Sequence, residues 1–411
     1  MSQSLRFLHA SDFHLERPLT GFAETPAHLV DLLIDAPYAA AERVFELAQS
    51  ERADFLVLAG DIANIDRAGP RAIAFLLDQF QRLAAREIAV YWLCGPSERR
   101  GPWPAEVALP GNVRIFPLGT AQPLVHHADG DDLALLLGYS PGKGDARPEP
   151  VAKTKSGRYT IGVSHGKLNQ RQVAKLGVDY WACGGPHRRH QASGDKGLTV
   201  YSGSPQGRTP SERGPHGAVV VEVDERGLAR PRFVPTDLAR YRRIRVEIDP
   251  AASRADQERI FSNRVQAEFD RAPGGDLFLR WKIIPVGIAR GSNTILGAST
   301  EAWGQSWLRW LRQEFGTDSP AAWSISVDVI TPKTKAHDPQ DGSLLADFLA
   351  VIDEIEESRD ALPLVEMLPE GARHSSAADL LQVADARQRK LLLQRARALG
   401  ADLLGAEEFS A

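Results

Sequence analysis

The residues of this chain best equipped for chemistry are carboxylates and imidazoles that stand directly after short apolar runs. Leu5–Ala10 is such a run, and Ser11-Asp12-Phe13-His14 follows it at once. Phe55–Ala59 leads into Gly60-Asp61, residues 161–164 into His165, and a run reaching Cys183 into Gly184-Gly185-Pro186-His187. Short apolar runs bounded by turn residues read as buried strands, so each candidate sits at a strand end. Oxygen and nitrogen donors delivered from separate strand ends can converge on one divalent cation such as manganese, zinc or iron. Where two ions share a carboxylate they clamp a phosphodiester and acidify the attacking water. Taken singly, Asp12 and His14 read as a turn after a strand; the ordered set is what points to metal.

The elements that must position these residues alternate in type. Residues 40–50 have helical spacing, with Val44, Leu47 and Ala48 on one face, and 72–85 form a second amphipathic stretch. Residues 88–93 read as a third strand, and strands alternating with helices imply α/β layers. From about residue 110 the pattern turns to short strands at 133–137, 159–163, 178–182, 198–201 and 218–223. The Pro-, Gly- and Arg-rich sequence near 233–238 reads as a hinge. Beyond it, strand 244–248, helix 255–269, strand 277–285, helix 301–315 and strand 325–330 suggest a small α/β unit. The rest reads as helical, with Leu344, Phe348, Ile352 and Ile355 on one face and a second run at Leu380, Leu381, Leu391, Leu392 and Leu399. Three regions follow: 1–238, 239–335 and 336–411.

Composition narrows the class. The chain has 411 residues, 43% hydrophobic and 25% charged, with a net charge of −4, the balance of an ordinary globular protein. With that charge, contact with nucleic acid has to come from a local basic strip. There is no signal-peptide pattern and no membrane-length apolar run. Two cysteines, Cys94 and Cys183, exclude a disulfide framework and suit a reducing cytoplasm. Both read as buried free thiols.

In order and spacing, Asp12-x-His14, Gly60-Asp61 and His165 resemble the calcineurin-like phosphoesterase signature, D-x-H, G-D, G-N-H-[DE], H, G-H-x-H. The phrases at 201–224 and 233–249 resemble the SbcD/YhaO type of DNA-repair exonuclease. The resemblance covers about residues 5–250. It implies a four-layer α/β/β/α sandwich, an α/β fold with a small α/β capping domain and C-terminal helices. Two signature elements depart from the pattern. Gly95-Pro96-Ser97-Glu98 stands for G-N-H-[DE], so the asparagine ligand is Pro96 and the assisting histidine is Ser97, which cannot donate a proton near neutral pH as imidazole does. Gly184-Gly185-Pro186-His187 stands for G-H-x-H, so its first histidine is Gly185.

Carried over residue by residue, the resemblance gives a first ion held by Asp12, His14, Asp61 and His187. The second keeps only Asp61 and His165. One divalent ion, manganese by family, is therefore expected rather than two, with no intact catalytic acid. The function implied is a nuclease-family subunit with weak or absent hydrolysis. The alternatives are a pseudonuclease binding DNA or an SbcC/YhaN-like coiled-coil ATPase, and a one-metal phosphoesterase on a small substrate. Homodimers occur in the family. Arg99, Arg100, Arg188 and Arg189, just after two site loops, could contact DNA phosphates or be solvated surface. Glu98 could swing toward the ion but reads better as orienting its loop. His190 is a candidate substitute ligand that reads as exposed, His126-His127 reads as surface, and His9 as a satisfied core histidine.

Overall fold

The computed structural model describes residues 4–98, 103–117, 121–128, 131–139, 158–168, 177–194, 197–286, 300–330 and 344–358, with isolated positions beyond. Arg99, Arg100, Leu380, Leu381 and Leu391 lie outside them. The chain divides into two compact units, Met1–Arg242 with Ala267–Leu279 and Phe315–Ile325, and Arg243–Gln266 with Arg280–Glu314 and Ser326–Ala411.

The first unit opens with β1 (Leu5–Ala10), α1 (Val30–Ser50), β2 (Phe55–Ala59), α2 (Ile65–Ala84), β3 (Ala89–Leu93) and β4 (Val113–Ile115). It continues as strands: β5 (Ala121–Ala128), β6 (Asp131–Tyr139), β7 (Tyr159–His165), β8 (Tyr180–Gly184), β9 (His190–Gly194), β10 (Gly197–Tyr201), β11 (Gly217–Val223) and β12 (Ala229–Pro235). Two six-stranded sheets result, in the orders β12-β11-β1-β2-β3-β4 and β5-β6-β7-β8-β10-β9. The stretch read as a hinge is partly strand: β12 pairs antiparallel with β11 from Gly217↔Pro235 to Val223↔Ala229, and as the edge strand of its sheet it tolerates proline, whose missing N–H costs no ladder hydrogen bond on the unpaired side.

Helix α1 buries Leu33, Ala36, Ala40, Ala41, Val44, Phe45 and Ala48, the i, i+3, i+4 stripe of a helix packed on a sheet. The N-terminus of α2 is capped by Asn64, whose side chain accepts the Arg67 N–H. Gly69, at φ 67°, breaks that helix before Pro70 restarts it, so the amphipathic stretch read from residue 72 is its second part. Between the sheets lies a second core containing Phe7, Phe55, Val57, Tyr91, Leu136, Ile161, Val163, Tyr180 and Val221. Each such fully buried side chain stabilises the fold by about 1.5–3 kcal/mol. The strands β1, β2 and β3 run parallel, as do β6, β7 and β8, so within each sheet the C-terminal ends of neighbouring strands share an edge.

The remaining elements are β13 (Ala239–Ile248), α3 (Arg254–Asp270), β14 (Asp276–Pro285), α4 (Thr300–Phe315), β15 (Ala322–Val329) and α5 (Leu344–Glu357), with a three-stranded sheet in the order β13-β14-β15. In the second unit Phe261 packs on Trp307 with ring centroids 4.6 Å apart, and the Arg254 guanidinium lies 3.5 Å from the Trp307 centroid. Helix α5 buries Leu345, Ala346 and Ile352. Leu344, read as part of that face, is 64% exposed, because the first residue of a helix is free to turn outward.

Candidate metal centre

The five donors read from the sequence come together. Asp12 and His14 lie just past β1, Asp61 just past β2, His165 at the end of β7 and His187 shortly after β8. The loops after β1 and β2 are zipped by their backbones: Asp12 N–H donates to Gly60 O (2.9 Å), His14 N–H to Asp61 O (3.0 Å) and Leu15 N–H to Ile62 O (3.1 Å). This zip holds Asp12, His14 and Asp61 at φ 58°, 45° and 55°. Such left-handed backbones cost a non-glycine residue roughly 1–3 kcal/mol and persist where the surroundings over-determine them.

Asp12 is fully buried. Its Oδ2 accepts from Ser11 Oγ (2.6 Å) and from the Gly185 N–H (2.9 Å). Asp61 Oδ1 accepts the Ser97 N–H at 2.7 Å, while its Oδ2 lies 3.4 Å from His165 Nε2 and 3.6 Å from His14 Nε2. Asp12 Oδ1 is 3.9 Å from both His165 Nε2 and His187 Nε2. The donor atoms form two overlapping groups, Asp12–His14–His187 and Asp12–Asp61–His165, each with its atoms within 4.8 Å of one another.

The far side of each imidazole is anchored. His14 Nδ1 is 3.2 Å from Glu16 Oε1, His187 Nδ1 is 2.6 Å from Glu212 Oε1, and His165 Nδ1 donates to Ala59 O at 2.9 Å. A ligating histidine is held in this way, with a carboxylate or carbonyl fixing one nitrogen so that the other faces the ion. His14 Nε2 is buried and has no hydrogen-bond partner, an orphaned donor facing Asp61. That orphan and the Asp/His composition fit a divalent cation.

Charge coupling shapes the cluster. Burial alone would lower the His165 pKa, but the Asp61 hydrogen bond and the charges of Asp12 and Asp61 outweigh it and hold the imidazole at about 9. Burial opposes ionisation of Asp61 too, yet its contact with His165 leaves it well below the usual carboxylate range. Glu212, pushed up by burial, is drawn down to about 2 by His187, the Arg208 N–H and the Arg208 charge.

The departures from the signature have a structural counterpart. Pro96 offers no donor side chain, and Ser97 meets Asp61 through its backbone N–H. Gly185 sits at φ 108°, and a Cβ added there would lie 2.9 Å from Gly166 N. Glu98 orients its loop. Buried between loops, it accepts from the N–H groups of Gly95 (2.6 Å), Ile62 (2.7 Å), Asp61 (3.1 Å) and Ala63 (3.3 Å). Burial raises its pKa to about 7 against those donors.

Sequence reading did not single out Glu16, Arg208 or Glu212. Buried Arg208 donates to the Asp12 and Phe13 carbonyls at 3.2 Å each, and its N–H donates to Glu212 Oε2 at 2.6 Å. The only signal was the i, i+4 spacing of Arg208 and Glu212 within the 201–224 phrase, which a surface ion pair shares. Arg188, Arg189 and His190 are exposed, and His190 belongs to neither donor group. His126 corrects the surface reading: it is buried on β5, 3.1 Å from Tyr91 Oη with its ring 4.6 Å from Phe55. An alternating strand buries one of two neighbouring residues, and its neighbour His127 is the exposed one. His9 is buried, with Nδ1 3.2 Å from Tyr180 Oη. Cys94 and Cys183 are buried free thiols.

Residues 5–189 match the calcineurin-like phosphoesterase family. A curated Bacillus subtilis protein, the uncharacterized metallophosphoesterase YhaO, is 28% identical over 243 residues, which are 54% of this chain and 58% of that protein. The chain thus aligns with under two thirds of that relative's length. Among solved structures, GAP50, the anchor in the inner membrane complex of Plasmodium, aligns at TM-score 0.35 and 12% identity over 57% of this chain and 85% of its own. A dimetal phosphatase from Danio rerio aligns at TM-score 0.34 and 11% identity over 53% and 92%.

Proposed function

We propose, from the match of residues 5–189 to the calcineurin-like phosphoesterase family, that the chain is an SbcD/YhaO-like nuclease-family subunit that engages DNA at a one-ion centre, with hydrolysis weak or absent. The observation that carries this reading is the asymmetry of the donors. Asp12, His14 and His187 form one donor group, with both histidines backed by carboxylates, and Asp61 Oδ2 lies 3.6 Å from His14 Nε2 while grouping with Asp12 and His165. Positions 96 and 185 carry no donor side chain and position 97 no imidazole.

Those four residues would hold the ion, by family manganese, with His165 turned toward the phosphate. A bound divalent ion supplies Lewis-acid polarisation and a water of lowered pKa. This chain's own groups do the rest. Glu16 and Glu212 keep the two imidazoles oriented, and Arg208 fixes the Asp12 loop by its carbonyls. Ser97 supplies no general acid, a loss that typically removes about 10²–10⁴-fold in rate. The reading carries with it a coiled-coil ATPase of the SbcC/YhaN type as partner and a cytoplasmic location. Exposed Leu344 and Val351 on α5 support a protein partner.

The test is to load the purified full chain with manganese, measure metal per chain by elemental analysis, and assay cleavage of single- and double-stranded DNA beside Asp61→Asn. One ion per chain, with cleavage no greater than in that variant, is expected. Two ions with cleavage abolished by Asp61→Asn would sink the one-ion reading.

A further inference from the structure

A cleft of about 370 Å³ is lined by Arg188, Arg189, Gln191, Arg213 and Phe233, among others, with no carboxylate among the described lining residues. None of the three arginines has a carboxylate partner among the described residues. Arg188 donates to the Arg213 carbonyl (3.4 Å), Arg189 to Gln191 Oε1 (3.5 Å), and the Arg189 guanidinium lies 5.2 Å from the Phe233 ring centroid. Three guanidinium groups drawn to one concavity repel one another, and in a chain of net charge −4 such a local cluster marks the footprint of a polyanion.

The cleft is tied to the metal centre through two pairs of consecutive residues. His187 belongs to a donor group and Arg188 to the cleft; Glu212 holds His187 Nδ1 at 2.6 Å and Arg213 lines the cleft. Consecutive Cα atoms are about 3.8 Å apart, so phosphates seated on Arg188 and Arg213 would lie one residue along the backbone from His187 and from Glu212. Phe233, with a planar cation over its ring, adds a stacking surface of the kind that takes unpaired bases. Duplex DNA keeps its base faces stacked inside, so this surface favours an unpaired strand.

We infer that this cleft is a subsite for a single-stranded nucleic-acid segment, with phosphates on Arg188 and Arg213 and a base against Arg189 and Phe233. The inference rests on the nucleic-acid reading above and names the part of the substrate held beside the ion centre.

The test measures anisotropy of a short fluorescein-labelled oligothymidylate with the full chain, at several salt concentrations and with chelator present. Because the ion is removed, failure of metal loading or of hydrolysis leaves this result untouched. Arg188→Gln/Arg213→Gln is expected to weaken binding at least about tenfold and to flatten the salt dependence by roughly 0.7 per arginine. Arg188→Lys/Arg213→Lys keeps the charge and is expected to retain most of the slope, which separates lost contacts from misfolding. Phe233→Leu is expected to weaken oligothymidylate binding by about fivefold or more without changing competition by tripolyphosphate. Wild-type affinity in the Gln pair, or no binding by the wild type, would overturn the subsite. Full competition by tripolyphosphate together with an unaffected Phe233→Leu would overturn its assignment to nucleic acid.

Discussion

On one side of the metal centre, His14 and His187 each turn Nδ1 toward a carboxylate, Glu16 and Glu212, and keep Nε2 for the site. On the other side, around residues 95–98 and 184–186, main-chain N–H groups do the holding: Ser97 N–H on Asp61 and Gly185 N–H on Asp12. The difference separates contacts that depend on side chains from contacts that depend on the backbone. Removing a ligand whose neighbours are buried carboxylates strands charge, at a cost of several kcal/mol. Where a backbone donor already meets the carboxylate, loss of the donating residue's side chain leaves that contact in place. On the one-ion reading proposed above, the positions that depart from the signature, 96, 97 and 185, all fall on that second side.

Glu98 is where the comparison is under most strain, because it ties the loop of the depleted side to the loop carrying Asp61. Glu98→Ala leaves the N–H groups of Gly95 and Ile62, and the weaker donors Asp61 and Ala63, without their acceptor. The expected loss is about 3–5 kcal/mol in urea-induced unfolding. A loss under about 1 kcal/mol would mean that the two loops hold themselves. Next in size, Gly185→His is expected to destabilise by about 1–3 kcal/mol, since it forces a side chain onto a positive φ. It should also leave the metal count per chain unchanged. A second ion gained at unchanged stability would break the comparison.

Glu212→Gln sharpens it from the retained side. Manganese affinity, read by calorimetric titration, should fall about 10–100-fold, because the amide cannot hold the His187 Nδ1–H as a carboxylate does. Unchanged affinity would reduce Glu212 to a structural ion-pair partner of Arg208. The smallest effect belongs to Ser97→Ala. Its melting free energy should stay within about 0.5 kcal/mol of wild type, since Asp61 is met by the residue's backbone. Ser97→Pro, which deletes that N–H, should destabilise measurably, and equal behaviour of the two variants would refute the backbone account.

Much of the centre was legible because its donors are tethered to strand ends. Asp12, His14, Asp61, His165 and His187 each follow an apolar run, and a run's periodicity survives in the sequence. The strands β1, β2, β3, β7, β8, β10 and β11 were readable for the same reason. Glu16, Arg208 and Glu212 were not. They sit on irregular loops, where no period marks which side of the backbone faces inward, and their value lies in contacts made only once the sheets pack. His126 shows the same limit: read beside His127 in a polar stretch, its burial depends on β5 pairing with β6. The β12 edge strand hid behind Pro231 and Pro235, which look like punctuation unless the antiparallel partner is known.

Strand β1 sits between β2, which pairs with it in parallel, and β11, whose Val223 lies opposite Leu5. Strand β1 therefore waits for the synthesis of about half of this 411-residue chain before its second neighbour exists. At about 5–20 residues per second that delay is on the order of 10–40 s, during which an apolar strand presents an open edge able to pair with other chains. The family match ends at residue 189, before β11. An expression fragment cut at that limit would keep every donor of the metal centre and lose the strand that seals it, so it should aggregate where a fragment reaching past β12 stays in solution.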